Sequence, residues 1–334
     1  PVTDPPVTEP PATDPPTTSP TPTPPSTPLA VASDVIVVGT TKFNAHGSRV
    51  AFSARPADGS HGPDIYVWTV GDEDATRITN DHHSVFSGWL GGLVLGSRAV
   101  PASEAEPVVE GASTAVVPEA FVIDPATGVE AVIDGGPIWQ PAVDPTGRLA
   151  VYWEGTIKLD EAGVEWRPAE GRLVVAPWPG NPNLSSGTDD ATESEERKLD
   201  PLPAPPLPTA FPQSVAPNDE IKVLFDGPIP AWQARWEADG THLGLWIADE
   251  EDPTIGRLTL YAVNPVTGRL DADDPALPAQ WARPGFEIGD DYLAWATRDG
   301  QDGKGSLIKV VAWTEDGLGQ VETKPGEDVL VVQH

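Results

Sequence analysis

The run Asp81-His82-His83 holds the side chains best able to do chemistry at neutral pH, with Asp58 and His61 a short way upstream. Imidazoles change charge near neutrality and coordinate transition metals, and neighbouring carboxylates could complete a zinc set or shift the pKa of a ring. Adjacent residues of an extended segment point in opposite directions, however, so His82 and His83 are not expected on one ion. The preferred reading is polar residues in a joint between sheets, with no metal or other cofactor assigned. The segment Asp299-Gly300-Gln301-Asp302-Gly303-Lys304-Gly305 has the composition of a calcium loop. It lacks the D-x-D-x-D-G spacing and the later bidentate Glu, so Asp299 and Asp302 read as parts of a hydrated turn. Trp166 and Trp178 flank irregular sequence and are the tryptophans expected to be exposed, where they could stack on a sugar. Trp68, Trp153, Trp246, Trp295 and Trp313 alternate with apolar residues and are expected to pack between sheets. Neither G-x-S-x-G, H-E-x-x-H nor a P-loop occurs, and there is no Cys, which excludes thiolate chemistry and disulfides. A glycosidase carboxylate pair is defined by a distance that a sequence does not display.

Such side chains act only if a scaffold assembles them, and the stretch Phe43 to Thr79 specifies the scaffold. It reads as a turn (Ala45-His46-Gly47), a strand (Arg49 to Ala54), a polar loop (Arg55 to Pro63), a second strand (Asp64 to Val70), an acidic turn and a third strand start (Thr76 to Thr79). Apolar alternation over short runs bounded by Gly, Asp and Pro marks antiparallel strands. One sheet of this size cannot bury both its faces and must stack on copies of itself. An apolar-small-apolar triplet recurs as Val50-Ala51-Phe52, Leu149-Ala150-Val151, Leu243-Gly244-Leu245 and Leu293-Ala294-Trp295, with Leu93-Val94-Leu95 as a weaker fifth. A small residue between two large ones fits a strand that a neighbouring sheet approaches closely. Setting aside the polar stretch 181–217, the triplets recur about every 45–55 residues, the period of a four-stranded blade. The joints repeat as well: Asp134 to Gln140 matches Asp226 to Gln233, and Asp124-Pro125-Ala126-Thr127-Gly128 matches Asn264-Pro265-Val266-Thr267-Gly268. Asp34 to Val38 reads as a buried-type strand preceding the first unit, expected to meet Asp328 to Val332 in one blade and close a ring, which removes exposed edges.

Phe43-x-x-x-Gly47-x-Arg49-Val50-Ala51-Phe52, followed by Asp64-Ile65-Tyr66-Val67 and Arg77-Ile78-Thr79, resembles a blade of the TolB-type, WD-repeat-like β-propellers. The resemblance extends over nearly all of 31–334 and is weakest around 84–134 and 281–325. It implies an all-β chain: a single β-propeller of four-stranded blades over 31–334, five blades with six as the alternative. A disordered Pro/Thr-rich stalk over 1–30 precedes it, and 181–217 is a disordered acidic, Pro-rich loop insertion. Propeller connectivity puts the loops between second and third strands on the same face as the joints between blades. Asp58, His61, Asp81, His82, His83, Trp166, Asp299 and Asp302 all fall there, and this is the expected ligand-binding face.

The net charge is −31, of which residues 1–28 carry −3 and 181–217 carry −4, leaving −24 on the folded part. Such a surface excludes nucleic acid and anionic lipid as partners and suits cations, basic proteins or a salty medium. Twelve of the first 28 residues are Pro and eight are Thr, a composition that stays extended and reaches roughly 85 Å. Segments of this kind act as stalks that hold a surface domain away from an envelope. The expectation is therefore a monomeric, non-enzymatic, extracytoplasmic bacterial module that binds a protein, a wall polymer or a small ligand. Membrane association is expected only through a segment upstream of Pro1, as in membrane-anchored anti-sigma-factor-like sensors. The alternatives are a secreted hydrolase or lyase working on carbohydrate or lactone through the central channel, and a TolB-like envelope scaffold.

Overall fold

Three turns of one chemistry set the strand reversals that build the sheets. In Asn44 to Gly47, Asp144 to Gly147 and Glu237 to Gly240, the glycine N–H donates to the carbonyl of the first residue at 2.9 Å. The glycines have φ of 63°, 70° and 76°, a left-handed conformation that side chains resist. The Asn44 and Asp144 Oδ1 atoms also accept the backbone N–H of Ser48 and Arg148, each at 2.9 Å. A polar first residue and a terminal glycine are thus both required.

The computed structural model describes residues 35–100, 115–160, 165–178, 221–264, 268–298, 306–314 and 317–325. They are all β and form five antiparallel sheets in chain order. The first comprises β1 (Val35–Phe43), β2 (Arg49–Pro56), β3 (Asp64–Thr69) and β4 (Thr76–Arg77). The second comprises β5 (Ser84–Leu90), β6 (Leu93–Val100), β7 (Val117–Ile123) and β8 (Glu130–Val132). The third has β9 (Ile138–Val143), β10 (Leu149–Leu159), β11 (Trp166–Pro177) and β12 (Lys222–Asp226). The fourth has β13 (Trp232–Trp236), β14 (His242–Ala248), β15 (Gly256–Ala262) and β16 (Leu277–Ala282). In the fifth, β17 (Phe286–Ile288) and β18 (Tyr292–Arg298) lead to β19 (Ser306–Thr314), on which both β20 (Gly317–Leu318) and β21 (Glu322–Pro325) pair.

Successive sheets bury facing surfaces on one another. Ala51, Ile65, Phe86 and Phe121 fill the space between the first and second. Leu95, Ala120, Tyr152 and Trp178 lie between the second and third, and Trp139, Trp153, Leu243 and Leu245 between the third and fourth. Trp246, Leu258, Phe286 and Trp295 join the fourth to the fifth. Trp139, Trp153, Trp178, Trp246 and Trp295 are all fully buried, and truncating such a residue to Ala costs about 3–5 kcal/mol. Successive first strands also lie side by side. The Trp89 indole N–H on β5 donates to the Lys42 carbonyl on β1 at 2.9 Å, and Trp236 on β13 donates to Ala142 on β9 at 2.8 Å. Buried Ser53 and Ser97 accept the backbone N–H of Phe86 and Gln140 from the next blade, at 2.7 and 2.9 Å. These features define a β-propeller of five blades.

Several expectations need correction. Val35 to Val38 is not a buried-type strand outside the first unit: it is the start of β1, the first strand of the first blade, with Ile36 and Val37 exposed. β1 to β4 complete that sheet, so it needs no strand from the other end; residues 328–332 lie outside the described residues. The blade thus begins one strand earlier than the Phe43 to Thr79 pattern suggests. The triplets are not all equivalent either. Val50 pairs with Phe43 and Leu243 with Trp236 at the first turn, whereas in the third blade it is Ala150 that pairs with Val143. Ala150 therefore faces backward, toward the second blade, while Gly244 faces forward, because a one-residue slip moves a side chain to the other face. Close sheet approach is real at Gly244, where an added Cβ would meet Phe286 Cε2 at 2.5 Å. Trp178, expected to be exposed, is fully buried between the second and third blades.

Candidate functional site

Asp64 opens β3 at the end of the second-to-third-strand loop, and its side chain is fully buried. Its Oδ1 accepts the Thr79 hydroxyl at 3.1 Å and the His82 backbone N–H at 3.1 Å. Its Oδ2 accepts the His82 Nδ1–H at 2.8 Å, while the Arg77 guanidinium lies 3.7 Å off and half in solvent. The Thr79 oxygen in turn accepts the Ile65 N–H at 2.8 Å. A buried carboxylate demands such partners, and here they are drawn from β4 and from the joint into the next blade. The joint is bent to reach it: His82 has φ 61°, left-handed for a residue with a side chain.

The loop before β3 presses on the same joint. An added Cβ at Gly62 would lie 2.3 Å from the His82 carbonyl oxygen. The His61 Nδ1–H donates to the Gly62 carbonyl at 2.8 Å, and the His61 ring lies against that of His82 with centroids 3.8 Å apart. The potential donor atoms of His61, Asp64 and His82 all fall within 4.8 Å of one another. These are the residues that could hold a metal ion. They occupy the seam between the first two blades rather than the axial channel.

His82 and His83 diverge as expected, although the backbone between them is bent at His82 rather than extended. The His83 ring meets the edge of Trp166 at 5.9 Å between centroids. Trp166 reaches it because β10 and β11 run on past a bulge at Gly155, and Ile157 bridges to Val116 of the second blade. Asp81 does not join the histidine cluster. It accepts the His83 N–H at 2.9 Å and the Ser84 hydroxyl at 2.7 Å, and faces the Arg98 guanidinium at 3.4 Å. Arg98 also pairs with Glu119 at 2.7 Å and with Glu130. Burial works against its charge, but the hydrogen bonds that it donates to Glu130 and Glu119 prevail and hold Arg98 above its ordinary pKa. Asp58 is exposed and bends onto the Ser60 N–H at 2.9 Å, which keeps its carboxyl below the usual value; it supplies no donor to the cluster. Asp299 and Asp302 lie outside the described residues.

Sequence reasoning missed Asp64, Thr79 and Arg98. The signal for Asp64 was present, an acidic residue opening a strand of otherwise apolar character, but its burial was not legible. Lys42, Arg235 and Glu287, on the first strands of three blades, were missed too. Lys42 on β1 is solvent-accessible yet ringed by protein, and its pKa is lowered, first by that desolvation and then by the nearby Arg235 of β13. Arg235 pairs with Glu287 at 3.2 Å, and burial raises the Glu287 carboxyl above its ordinary value.

No protein-family model matches the chain, and no curated protein matches it. Among solved structures, TolB from Acinetobacter baumannii is 13% identical with a TM-score of 0.44 over 88% of this chain and 55% of that one. A putative TolB from Agrobacterium tumefaciens is 11% identical, TM-score 0.42, over 86% of this chain and 78% of that one. The β-propeller domain of the Trilobed protease from Pyrococcus furiosus is 12% identical, TM-score 0.38, over 88% and 83%. The chain therefore spans just over half of the Acinetobacter protein. At such identities and scores these likenesses carry no argument about function, and the β-propeller assignment rests on the five stacked sheets themselves.

Proposed function

We propose that this chain is a non-enzymatic binding or sensing propeller, carried outside the bacterial cytoplasm on its Pro/Thr-rich tether, and that it engages an envelope protein. One observation carries the reading. The second-to-third-strand loops and the inter-blade joints share one face, where Asp64, His82, Asp81, Arg98, His83 and Trp166 form an unbroken chain of contacts across three blades. A rigid, half-exposed polar surface with an aromatic at its edge suits recognition. The net charge of −31 suits a basic partner. The Pro/Thr stretch supports an extracytoplasmic placement, since such segments hold domains at a distance from a surface.

The test is site-specific photocrosslinking in the native cell. A photoreactive residue at Trp166 or His83 is expected to yield one discrete adduct with an envelope protein, and the same residue at Thr127, in a turn on the opposite face, to yield none. Equal adducts from both faces, or fractionation of the native protein with the cytosol, would refute the reading.

A further inference from the structure

We infer that His61, Asp64 and His82 bind one borderline divalent transition-metal ion, of the zinc class, across the seam between the first and second blades. Two imidazoles and a carboxylate are the donors such ions take, whereas calcium and magnesium prefer oxygen alone. Carboxylate and carbonyl oxygens only accept, so Nδ1 carries the hydrogen in both rings: His61 toward Gly62 and His82 toward Asp64. His61 then presents Nε2 as a bare lone pair, its other nitrogen held by the kind of outer hydrogen bond that orients metal-binding histidines. At His82 the ion takes the place of the hydrogen between Nδ1 and Asp64 Oδ2, already 2.8 Å apart, and the neutral ring carries its hydrogen on Nε2.

The donors lie within 4.8 Å of one another. Tetrahedral donors about 2.0–2.1 Å from zinc are roughly 3.4 Å apart, so the set must close by no more than about 1.4 Å. The half-buried His61 ring, on a loop, can make that movement. The rest is rigid: Asp64 is fixed by Thr79, His82 is held in a left-handed backbone conformation, and Gly62 abuts the His82 carbonyl. Arg77 opposes a cation at 3.7 Å from Asp64, but its guanidinium is 42% exposed and free to turn into solvent. Three protein donors leave one position of a tetrahedral ion open, for water or for a side chain of a bound partner.

The experiment uses the untagged chain, stripped with chelator and titrated with zinc chloride by calorimetry, with cobalt(II) absorption as a second readout. One ion per chain and visible tetrahedral cobalt bands are expected. His61→Ala and His82→Ala should each weaken zinc by at least the 10–100-fold typical of lesser perturbations, and Asp64→Asn by about 10–100-fold. His83→Ala should leave affinity unchanged. Should His82→Ala fail to fold, His61→Ala decides, because that ring takes no part in the Asp64–Thr79 hydrogen bonding. Binding of less than one ion per chain, wild-type affinity in His61→Ala, or equal loss in His83→Ala would overturn the assignment.

Discussion

Removing the Asp64 carboxylate is the sharpest test of how the first two blades are joined. Asp64→Ala deletes three hydrogen bonds to a buried charged acceptor, from Thr79, the His82 N–H and the His82 ring. Bonds of that kind contribute about 1.5–3 kcal/mol each, offset by the desolvation that the carboxylate no longer suffers. Stranding the partners of a buried charge has a net cost of about 3–5 kcal/mol, and that is the expected loss. Asp64→Asn keeps the shape and one acceptor and should lose about 1–3 kcal/mol. The assay is equilibrium urea unfolding followed by tryptophan fluorescence in chelator, where the midpoint should fall at nearly constant m. Because Thr79 and Asp64 bond directly, Thr79→Val and Asp64→Ala together should cost about 0.5–3 kcal/mol less than their sum. A loss under about 1 kcal/mol for Asp64→Ala, or strict additivity with Thr79→Val, would refute the claim that this network fastens the seam.

Gly244→Ala should destabilise by about 1–3 kcal/mol through overpacking against Phe286, and Phe286→Leu in the same chain should recover part of the loss in urea midpoints. Arg98→Met leaves Asp81, Glu119 and Glu130 facing one another without their cation. Mutual repulsion then destabilises the folded state, so the melting temperature at pH 7 should fall, and added salt should narrow the deficit relative to wild type by screening those charges. Lys42 has a folded-state pKa below its unfolded value, so its charged form disfavours folding until pH rises through the depressed pKa. Lys42→Met is expected to raise the melting temperature at pH 7, with the gain narrowing in the alkaline range.

The chain order of turns, short strands and tryptophans determined much of this protein. Asp144-Pro145-Thr146-Gly147 and its two counterparts specify hairpins wherever they occur, because glycine alone adopts the required φ at no steric cost. The 45–55-residue recurrence specified stacked four-stranded sheets, because none can hide both faces alone. The divergence of His82 and His83 was anticipated from extended-strand alternation, but it arises instead from a left-handed bend at His82 that only the structure displays. What followed from distant contacts was not legible. Trp178 beside an irregular region is buried because β11 delivers it between two blades, and Ala150 points backward because its triplet begins one residue sooner after an identical turn than the one around Ala51. Above all, only the tertiary structure decided that Asp64, from the start of one strand, meets His82 from the joint beyond the next. Sequence spacing reports which side of a strand a residue occupies, whereas the depth of a carboxylate and the ring that reaches it are set by how two blades close on each other.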